Sequence, residues 1–392
     1  MQKTHLGLIG AWGLRGATLR HALLEPNVEI IAAADIYEDS LEQCQNYYAK
    51  LGQNIETSRD YHTVLQNPKI DGVFIASPDY AHFEHAKAAL EAGKHVYLEK
   101  PLAISVEDCD NLLETACRTK TKLFLGHNMR YFPAVLKMKE IIDSGMIGEV
   151  QAVWCRHFVN YGGEAYFKDW HSERQYSNGL LLQKGAHDID VIHWLCGAYS
   201  QKVVGMGKLS VYDKSSRRSD SGERYFPLKA ALQYPPQKDR NFSPHIDVED
   251  HNMIFMQLEN GIQASYMHCM YAPTSERNYV FMGTKGKLEN IGDMGDCEIH
   301  VYTELRDYRR PNIIHKIGGD SGEHGGADPE IMRAFVRFIR DEAIPNTSPI
   351  AARMAVAAGI AGTESIRNGS VPIDVAQLDP KLEAHFGGAP TG

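Results

Sequence analysis

The order of apolar and amphipathic segments in the first third of the chain is the feature that most constrains its fold. Short apolar runs, among them Leu6–Ile9, Val28–Ala34 and Gly72–Ala76, alternate with segments that have the apolar spacing of helices. The runs lack the polar residue at every second position that marks a half-exposed strand, so both faces of each strand are expected to be buried. This pattern predicts an α/β domain in which helices cover both faces of a doubly wound parallel sheet.

The pattern changes after Gly126. From Gly148 onward, longer segments such as Glu149–Phe158 alternate apolar and polar residues, which is typical of half-buried antiparallel strands. We therefore predict an N-terminal domain over residues 1–125 and a C-terminal α+β domain over residues 126–375, with a large open, mostly antiparallel sheet of about six strands. The last helices are expected to pack back on the N-terminal domain, and residues 376–392 are expected to form a poorly ordered tail.

Composition limits the classes of function. The formal net charge is 41 − 50 = −9 over 392 residues, and no block of basic residues occurs, which argues against a nucleic-acid partner. No apolar stretch is long enough to span a membrane, and the N-terminus lacks the apolar core of an export signal. The seven cysteines form no CxxC pair, which is typical of a reducing compartment. These features predict a cytoplasmic protein.

A glycine-rich turn follows the first predicted strand. Gly10, Gly13 and Gly16 would let the backbone turn tightly and approach a pyrophosphate at a helix N-terminus, although their spacing is GxxGxxG rather than GxGxxG. Asp35 ends the second strand, 35 − 16 = 19 residues after the third glycine, where a carboxylate would bind ribose hydroxyls and repel a 2′-phosphate. No arginine follows it, since the next residues are Ile36 and Tyr37. The pattern predicts NAD rather than NADP.

Several further motifs, taken in order, resemble one family. The chain resembles the Gfo/Idh/MocA family, the glucose–fructose oxidoreductase and inositol dehydrogenase group, over about residues 4–370. The central motif is Glu99-Lys100-Pro101 at a strand end. The other matching segments are SPDYAH at 77–82, NMRY at 128–131, KGAHDID at 184–190, FMGTKGKLE at 281–289 and HGGAD at 324–328.

The resemblance implies a Rossmann domain followed by an open sheet, with NAD as cofactor and a carbohydrate bound between the sheet and the nicotinamide. It also implies a homo-oligomer, a dimer or tetramer, assembled through the C-terminal sheet. By their positions in the glycine loop and the motifs, the residues implied to bind the cofactor are Gly10, Ala11, Trp12, Gly13, Leu14, Asp35, Ser77, Pro78, His82, Glu99, Lys100, Asn128 and Arg130.

Oxidation of a secondary alcohol removes a hydride from carbon and a proton from oxygen, so the site needs a base and a group that stabilises the alkoxide. We predict that His187 takes the proton, that Asp190 on the same helix face orients it or contacts substrate, and that Lys100 lowers the pKa of the reacting hydroxyl. No metal is required, because the nicotinamide carries the hydride. His187 and His193 lie six residues apart and point to different faces, which also argues against a metal site.

The residues predicted to contact substrate come from both domains. Some have a structural alternative: the DWHSER segment at 169–174 is equally a polar surface loop, NMRY equally an interdomain contact, and His324 equally part of a flexible turn. The predicted set is Lys100, Arg130, Tyr131, Trp170, His171, Arg174, Lys184, His187 and His324.

Two positions depart from the family pattern. Trp12 replaces a small residue of the glycine loop, and Gln183 stands four residues before His187, where many members carry an aspartate. Glutamine cannot accept a proton, so a second hypothesis is a glycoside hydrolase that keeps NAD bound and cleaves by transient oxidation, elimination, hydration and re-reduction. A third is a non-catalytic sugar sensor, but such family members lack the lysine that this chain has at position 100.

Overall fold

The computed structural model describes residues 3–11, 13, 15–219, 232–319 and 324–387. The predicted cofactor residues Trp12 and Leu14 therefore lie outside the described residues. The chain divides into two compact units, the first drawn from segments 1–131, 326–353 and 378–388 and the second from 132–325 and 354–377. Within the described residues, no helix is both long enough and apolar enough to cross a membrane.

The described residues form fifteen strands and twelve α-helices. The strands are β1 Thr4–Ile9, β2 Val28–Ala34, β3 Glu56–Ser58, β4 Gly72–Ile75, β5 His95–Leu98, β6 Leu123–Leu125, β7 Val150–Phe158, β8 Ser200–Lys208, β9 His251–Leu258, β10 Gln263–Cys269, β11 Glu276–Gly283, β12 Lys287–Ile291, β13 Cys297–Tyr302, β14 Ile313–Ile317 and β15 Ile373–Asp374. The helices are α1 Glu38–Lys50, α2 His62–Gln66, α3 His82–Glu91, α4 Val106–Thr119, α5 Pro133–Asp143, α6 Gly162–Tyr166, α7 Arg174–Ser177, α8 Leu180–Gln183, α9 Gly185–Cys196, α10 Ala327–Ile339, α11 Pro349–Arg367 and α12 Pro380–Phe386.

The first unit contains the predicted parallel sheet. Its six strands have the order β3-β2-β1-β4-β5-β6, and all five strand pairs are parallel. The strand order reverses between β1 and β4, which places a crevice at the carboxyl ends of these strands, where doubly wound sheets bind ligands. The predicted fold class is confirmed for this unit.

Aromatic packing holds a late helix against this sheet. Phe74, Tyr97 and Phe124 from neighbouring strands stack in a row, with ring centroids 4.5 and 5.3 Å apart. Phe335 of α10 meets Tyr97 edge-on at 5.5 Å, and all four rings are fully or almost fully buried. Burying a large aromatic side chain typically contributes about 1.5–3 kcal/mol, so α10 is an integral part of the first unit.

One expectation about the C-terminal region is wrong. Residues from 376 onward were predicted to be poorly ordered, yet α12 forms there, and the Asp379 carboxylate accepts a hydrogen bond from the Lys381 amide at 2.8 Å. The short polar segment before α12 gave no sequence signal strong enough to predict this cap.

The second unit contains a nine-stranded sheet in the order β14-β13-β12-β11-β7-β10-β9-β8-β15, in which only the β7–β10 pair is parallel. The large, mostly antiparallel sheet is confirmed, but the expected number of about six strands was too low. The missed strand β8 contains Gly205 and Gly207, which are poor strand formers. A Cβ at either position would lie 2.9 Å from a side-chain carbon of β9, so close strand packing explains both glycines.

The two faces of this sheet differ in character. On the inner face, Asn252, His268, His157 and Arg277 form a buried polar row across β9, β10, β7 and β11. On the outer face, Phe255, Ser265 and Trp154 lie side by side, with Phe255 63% and Trp154 41% exposed. The sheet therefore carries one buried polar row on its inner face and a partly apolar outer surface.

Candidate cofactor and active site

The three loop glycines of the first unit are required for different reasons. Gly10 has φ +86°, and a Cβ there would lie 2.7 Å from the carbonyl carbon of Ala76. At Gly16 a Cβ would lie 2.5 Å from the carbonyl oxygen of Gly10. Gly13 has φ +107°, but a Cβ at this position would meet nothing within 4 Å, so its surroundings are open. Gly10 and Gly16 are thus needed for packing, whereas Gly13 leaves room for a ligand to approach the backbone.

The Asp35 carboxylate is held at the carboxyl end of β2. Its Oδ2 accepts a hydrogen bond from the Ala11 amide at 3.0 Å, and its Oδ1 accepts one from the Tyr37 amide at 3.0 Å. These two bonds fix the carboxylate beside the glycine loop. A carboxylate at this position of a Rossmann fold is suited to accept hydrogen bonds from ribose hydroxyls.

His82 connects the loops that follow β4 and β5. Its Nδ1 lies 2.6 Å from the Pro101 carbonyl oxygen and its Nε2 2.9 Å from the Ser77 carbonyl oxygen. Burial lowers the pKa of His82 to about 4, although both carbonyls act in the opposite direction. Ser77 and Pro78 are half-buried in the first of these loops. His82 therefore positions the loops, and its ring is enclosed by protein.

A buried ion cluster, which the sequence analysis missed, lies next to the glycine loop. Arg15 donates to Oε1 of Glu99 from Nε at 3.0 Å and Nη2 at 2.6 Å, and its Nη1 donates to Asp328 at 3.1 Å. Burial opposes the charge of Arg15, but the two carboxylates raise its pKa above the ordinary value. The predicted cofactor residue Glu99 is thus bound by Arg15, and the loop, β5 and α10 are joined by one cation.

The remaining predicted residues of this unit differ in environment. Lys100 is half-buried two residues after the end of β5, and its bond to Pro101 is cis. Arg130 is buried and donates from Nη1 to the Asn346 carbonyl at 2.7 Å, while the Asn128 amide lies 3.4 Å from Asp328. These contacts give Asn128 and Arg130 structural partners inside the first unit. Tyr131, which ends the same 3₁₀ turn, is half-buried.

In the second unit, the start of α9 carries the predicted acid–base residues. His187 is half-buried and Asp190 is almost fully buried. Asp188, which the sequence analysis did not select, lies between them in sequence and is completely buried. Its carboxylate lies 2.9 Å from Arg277 Nε and 3.1 Å from His157 Nδ1, and it accepts a hydrogen bond from the Tyr279 hydroxyl.

The surroundings of Asp188 keep it ionised. Burial alone would raise its pKa, but the Arg277 guanidinium and His157 hold it well below the ordinary range. Burial, followed by the charge of Arg277, lowers the pKa of His157 to about 4. Asp188 and Arg277 therefore form an ion pair between α9 and the inner face of the sheet. Removing one partner of this buried ion pair would strongly lower the stability of the fold, because an uncompensated charge would remain buried.

Lys184, at the N-cap of α9, faces two tyrosines. Its Nζ lies 5.7 Å from the centre of the Tyr166 ring, and that ring lies 6.3 Å from the ring of Tyr161. Burial acts to lower the pKa of Lys184, but the two phenols outweigh it and raise the pKa. Lys184 was predicted to contact substrate; the two tyrosines were not predicted.

The DWHSER segment is structured. The rings of Trp170 and His171 stack at 3.7 Å, and His171 also meets Tyr166 edge-on at 5.4 Å. Arg174 lies 3.2 Å from Glu249, while its side chain stays 44% exposed. His324 is exposed at φ +53°, with its ring 6.2 Å from that of Phe132. His171 thus contacts Tyr166, the tyrosine whose ring lies 5.7 Å from the Lys184 ammonium nitrogen. Arg174 is instead paired with Glu249.

Comparison with known proteins defines the class. A family model described as "Oxidoreductase family, NAD-binding Rossmann fold" matches residues 4–127, and one described as "Oxidoreductase family, C-terminal alpha/beta domain" matches residues 139–375. Together they span most of the chain. The protein is therefore a member of the Gfo/Idh/MocA oxidoreductase family, and its cofactor is NAD.

Individual relatives are distant. YteT of Bacillus subtilis, provisionally named an oxidoreductase, is 25% identical over 351 residues, covering 78% of this chain and 81% of its own length. Inositol 2-dehydrogenase/D-chiro-inositol 3-dehydrogenase of Lactiplantibacillus plantarum is 28% identical over 195 residues, so the match covers 49% of this chain and 52% of that enzyme. Levoglucosan dehydrogenase, solved with NADH and levoglucosan, shares the fold at a TM-score of 0.75 and 20% identity, covering 96% of this chain and all of that one.

The first unit fits the cofactor. The open surroundings of Gly13 leave space at the backbone beside the strand-order reversal, and Asp35 lies beside the same loop. Gly10, Ala11, Gly13 and Asp35 would hold the adenosine and pyrophosphate side of NAD. Among the described residues, no group of three or more His, Cys, Asp or Glu has the arrangement of a metal site.

Proposed function

We propose that the protein catalyses NAD-dependent oxidation or reduction of a secondary hydroxyl on a sugar, polyol or glycoside. The observation that carries the proposal is the position of Lys100, which lies half-buried two residues after β5, at the carboxyl ends of the parallel strands beside the strand-order reversal. The names of the inositol and levoglucosan dehydrogenases among the similar proteins support a polyhydroxylated substrate.

Each proposed catalytic residue has a separate task. Bound NAD supplies the hydride acceptor. The Lys100 ammonium stabilises negative charge on the reacting oxygen, since a cation near an alcohol lowers its pKa. His187 moves the hydroxyl proton toward solvent, and Asp190 orients its imidazole. Trp170, His171, Arg174, Lys184, Arg130, Tyr131 and His324 remain proposed substrate contacts.

A substrate screen tests this proposal. Purified protein would be incubated with NAD and a panel of free sugars, polyols and aryl glycosides, and NADH absorbance and aglycone release would be followed together. Lys100→Met and His187→Gln should each lower turnover at least about 100-fold, the usual contribution of such groups, while NADH binding persists. Lys50→Met, at an exposed end of α1, is the matched lysine control and should retain turnover. Full activity in both active-site variants would refute the assignment.

The same screen distinguishes the second candidate function, an NAD-dependent glycoside hydrolase, from the dehydrogenase. Gln183, four residues before His187, is buried in α8 and supplies no titratable group, which favours chemistry other than the usual family dehydrogenation. A glycosidase that uses transient oxidation would release aglycone without net NADH and would introduce solvent deuterium beside the oxidised carbon. Aglycone release that survives complete removal of NAD would exclude this route. Tight NAD binding without any turnover would instead indicate a sensor.

We further propose that a second copy of this chain covers the outer face of the nine-stranded sheet. Val204, Phe255, Ser265, Trp154 and Val280 form one continuous row across five strands. Arg156 and Glu276, whose charged groups are 3.6 Å apart, lie beside this row. Because this face carries both signs of charge, the same face of two copies can pair across a two-fold axis. Light scattering should report a dimer or tetramer that Phe255→Glu dissociates; a monomeric wild-type protein would contradict the proposal.

A further inference from the structure

The turn that follows β3, residues 58–62, lies at the same carboxyl edge of the parallel sheet as the glycine loop and Asp35. β3 pairs with β2 so that Ser58 is opposite Ala34, and the Asp35 amide donates to the Ser58 carbonyl at 3.2 Å. Along the chain, no arginine follows Asp35. The fold nevertheless brings one to this place from the neighbouring strand, because Arg59 comes directly after Ser58.

The Arg59 side chain is held against the backbone of the loop after β2. Its Nε donates to the carbonyl of Ile36, the residue directly after Asp35, at 3.1 Å. Arg59 nevertheless stays exposed, and Ile36 is 62% exposed. A planar cation and a large apolar side chain therefore lie together next to the carboxylate that is suited to bind ribose.

This turn also contacts the elements that follow β4. Within the turn, the Ser58 hydroxyl accepts a hydrogen bond from the Asp60 amide at 3.0 Å, which fixes its shape. The ring of Tyr61 lies 4.4 Å from the ring of His85, and His85 Nδ1 lies 2.9 Å from the Ser77 hydroxyl in the loop after β4. The turn thus connects the loops after β2 and β4, at the carboxyl edge where a doubly wound sheet binds its dinucleotide.

We propose that Arg59 is a cofactor-binding residue that packs the plane of its guanidinium group against the adenine ring of NAD. A guanidinium group stacks on an aromatic face and is attracted by the electrons of the ring. The charge of Asp35 disfavours a phosphate on the neighbouring ribose, so the cation meets the uncharged base instead. The inference goes beyond the proposed function, because it concerns the cofactor and needs no carbohydrate substrate.

The first test measures cofactor binding without any substrate. NADH, and ADP-ribose, which lacks the nicotinamide, would be titrated into the protein in a calorimeter. Arg59→Met should bind both at least about fivefold more weakly, because the stacked cation is lost. Arg118→Met removes an exposed arginine of α4 that is paired with Glu91, and as the matched control it should bind both ligands as tightly as wild type. Wild-type affinity in Arg59→Met would overturn the proposal.

The second test separates the planar group from its charge. Arg59→Lys keeps the charge but not the plane, so it should bind NADH nearly as weakly as Arg59→Met. If Arg59 recognised a phosphate, wild type would bind NADPH at least as tightly as NADH, and Arg59→Lys would retain that affinity. Either result would overturn the proposal, as would a loss in Arg59→Met that is confined to NADH and spares ADP-ribose. A failed carbohydrate screen would refute the proposed function and leave these binding results unchanged.

Discussion

The glycine loop allows a prediction that separates a packing role from a ligand-approach role. Gly10 and Gly13 both have positive φ, at +86° and +107°. A Cβ at Gly10 would overlap the backbone of Ala76 and Ser77 at 2.7–2.9 Å, whereas a Cβ at Gly13 would meet nothing within 4 Å. Substitution of each by alanine therefore adds the same atom to two very different environments.

The expected free energies follow from these contacts. A positive φ costs a non-glycine residue about 1–2 kcal/mol, and both variants incur it. Gly10→Ala adds an overpacking cost of about 1–3 kcal/mol, since the clashing atoms are backbone and cannot rotate away. Unfolding free energy should thus fall by about 2–5 kcal/mol in Gly10→Ala and about 1–2 kcal/mol in Gly13→Ala. At about 2–4 °C per kcal/mol for a unit of this size, the difference of about 1–3 kcal/mol means that Gly10→Ala should melt about 2–12 °C below Gly13→Ala.

Thermal melting without cofactor measures the first effect, and NADH titration by fluorescence measures the second. Gly13→Ala should bind NADH at least about tenfold more weakly, a change of about 1.4 kcal/mol, even though its fold is little perturbed, because the added methyl group occupies the space that the cofactor needs. Equal melting temperatures for the two variants, or unchanged NADH affinity in Gly13→Ala, would refute the reasoning.

Three further predictions concern charge. Arg15→Met removes the cation that faces the buried Glu99 and Asp328 carboxylates, and it should lower the unfolding free energy by about 3 kcal/mol in thermal melts. Arg118 has an exposed partner, so Arg118→Met should cost under about 1 kcal/mol. His82 and His157 each have a pKa lowered to about 4. The stability that each contributes is therefore complete above the unfolded-state pKa near 6.5 and is lost as pH falls toward 4, so each should lower the unfolding free energy by about 2 kcal/mol between pH 7 and 5. A melting temperature that is constant over this range would contradict the prediction. Asp35→Ala should weaken NADH binding about tenfold or more and improve NADPH relative to NADH in fluorescence titrations.

Local patterns were sufficient to predict the first sheet, because fully buried parallel strands have a distinctive uniform apolarity. The glycine loop and Asp35 were also recognisable, since their separation is short and set by one strand–helix–strand unit. The cap of α4 is equally local, since the Ser105 hydroxyl accepts a hydrogen bond from the Asp108 amide, three residues later, at 3.0 Å. These features share one property: the interacting residues are close in sequence or lie at a fixed spacing.

The missed features depend on distant partners. Arg15 is 84 residues from Glu99 and 313 from Asp328, and no local pattern marks an arginine in a glycine loop as the partner of either. Strand β8 was missed because its glycines are explained only by the neighbouring strand. Asp188 was missed for the same reason, since its contacts with His157 and Arg277 require α9, β7 and β11 to be brought together. Tertiary proximity, rather than residue type, distinguishes these residues.

Asp188 shows how such a distant contact can control the predicted site. The carboxylate is bound by His157 from β7 and by Arg277 and Tyr279 from β11, so one turn of α9 is held against the inner face of the sheet. Successive residues of an α-helix point about 100° apart. Holding Asp188 toward the sheet therefore prevents α9 from rotating and fixes the direction of its neighbour His187. The buried ion pair is costly as a source of stability, but it sets the orientation of His187, the residue proposed to move the proton.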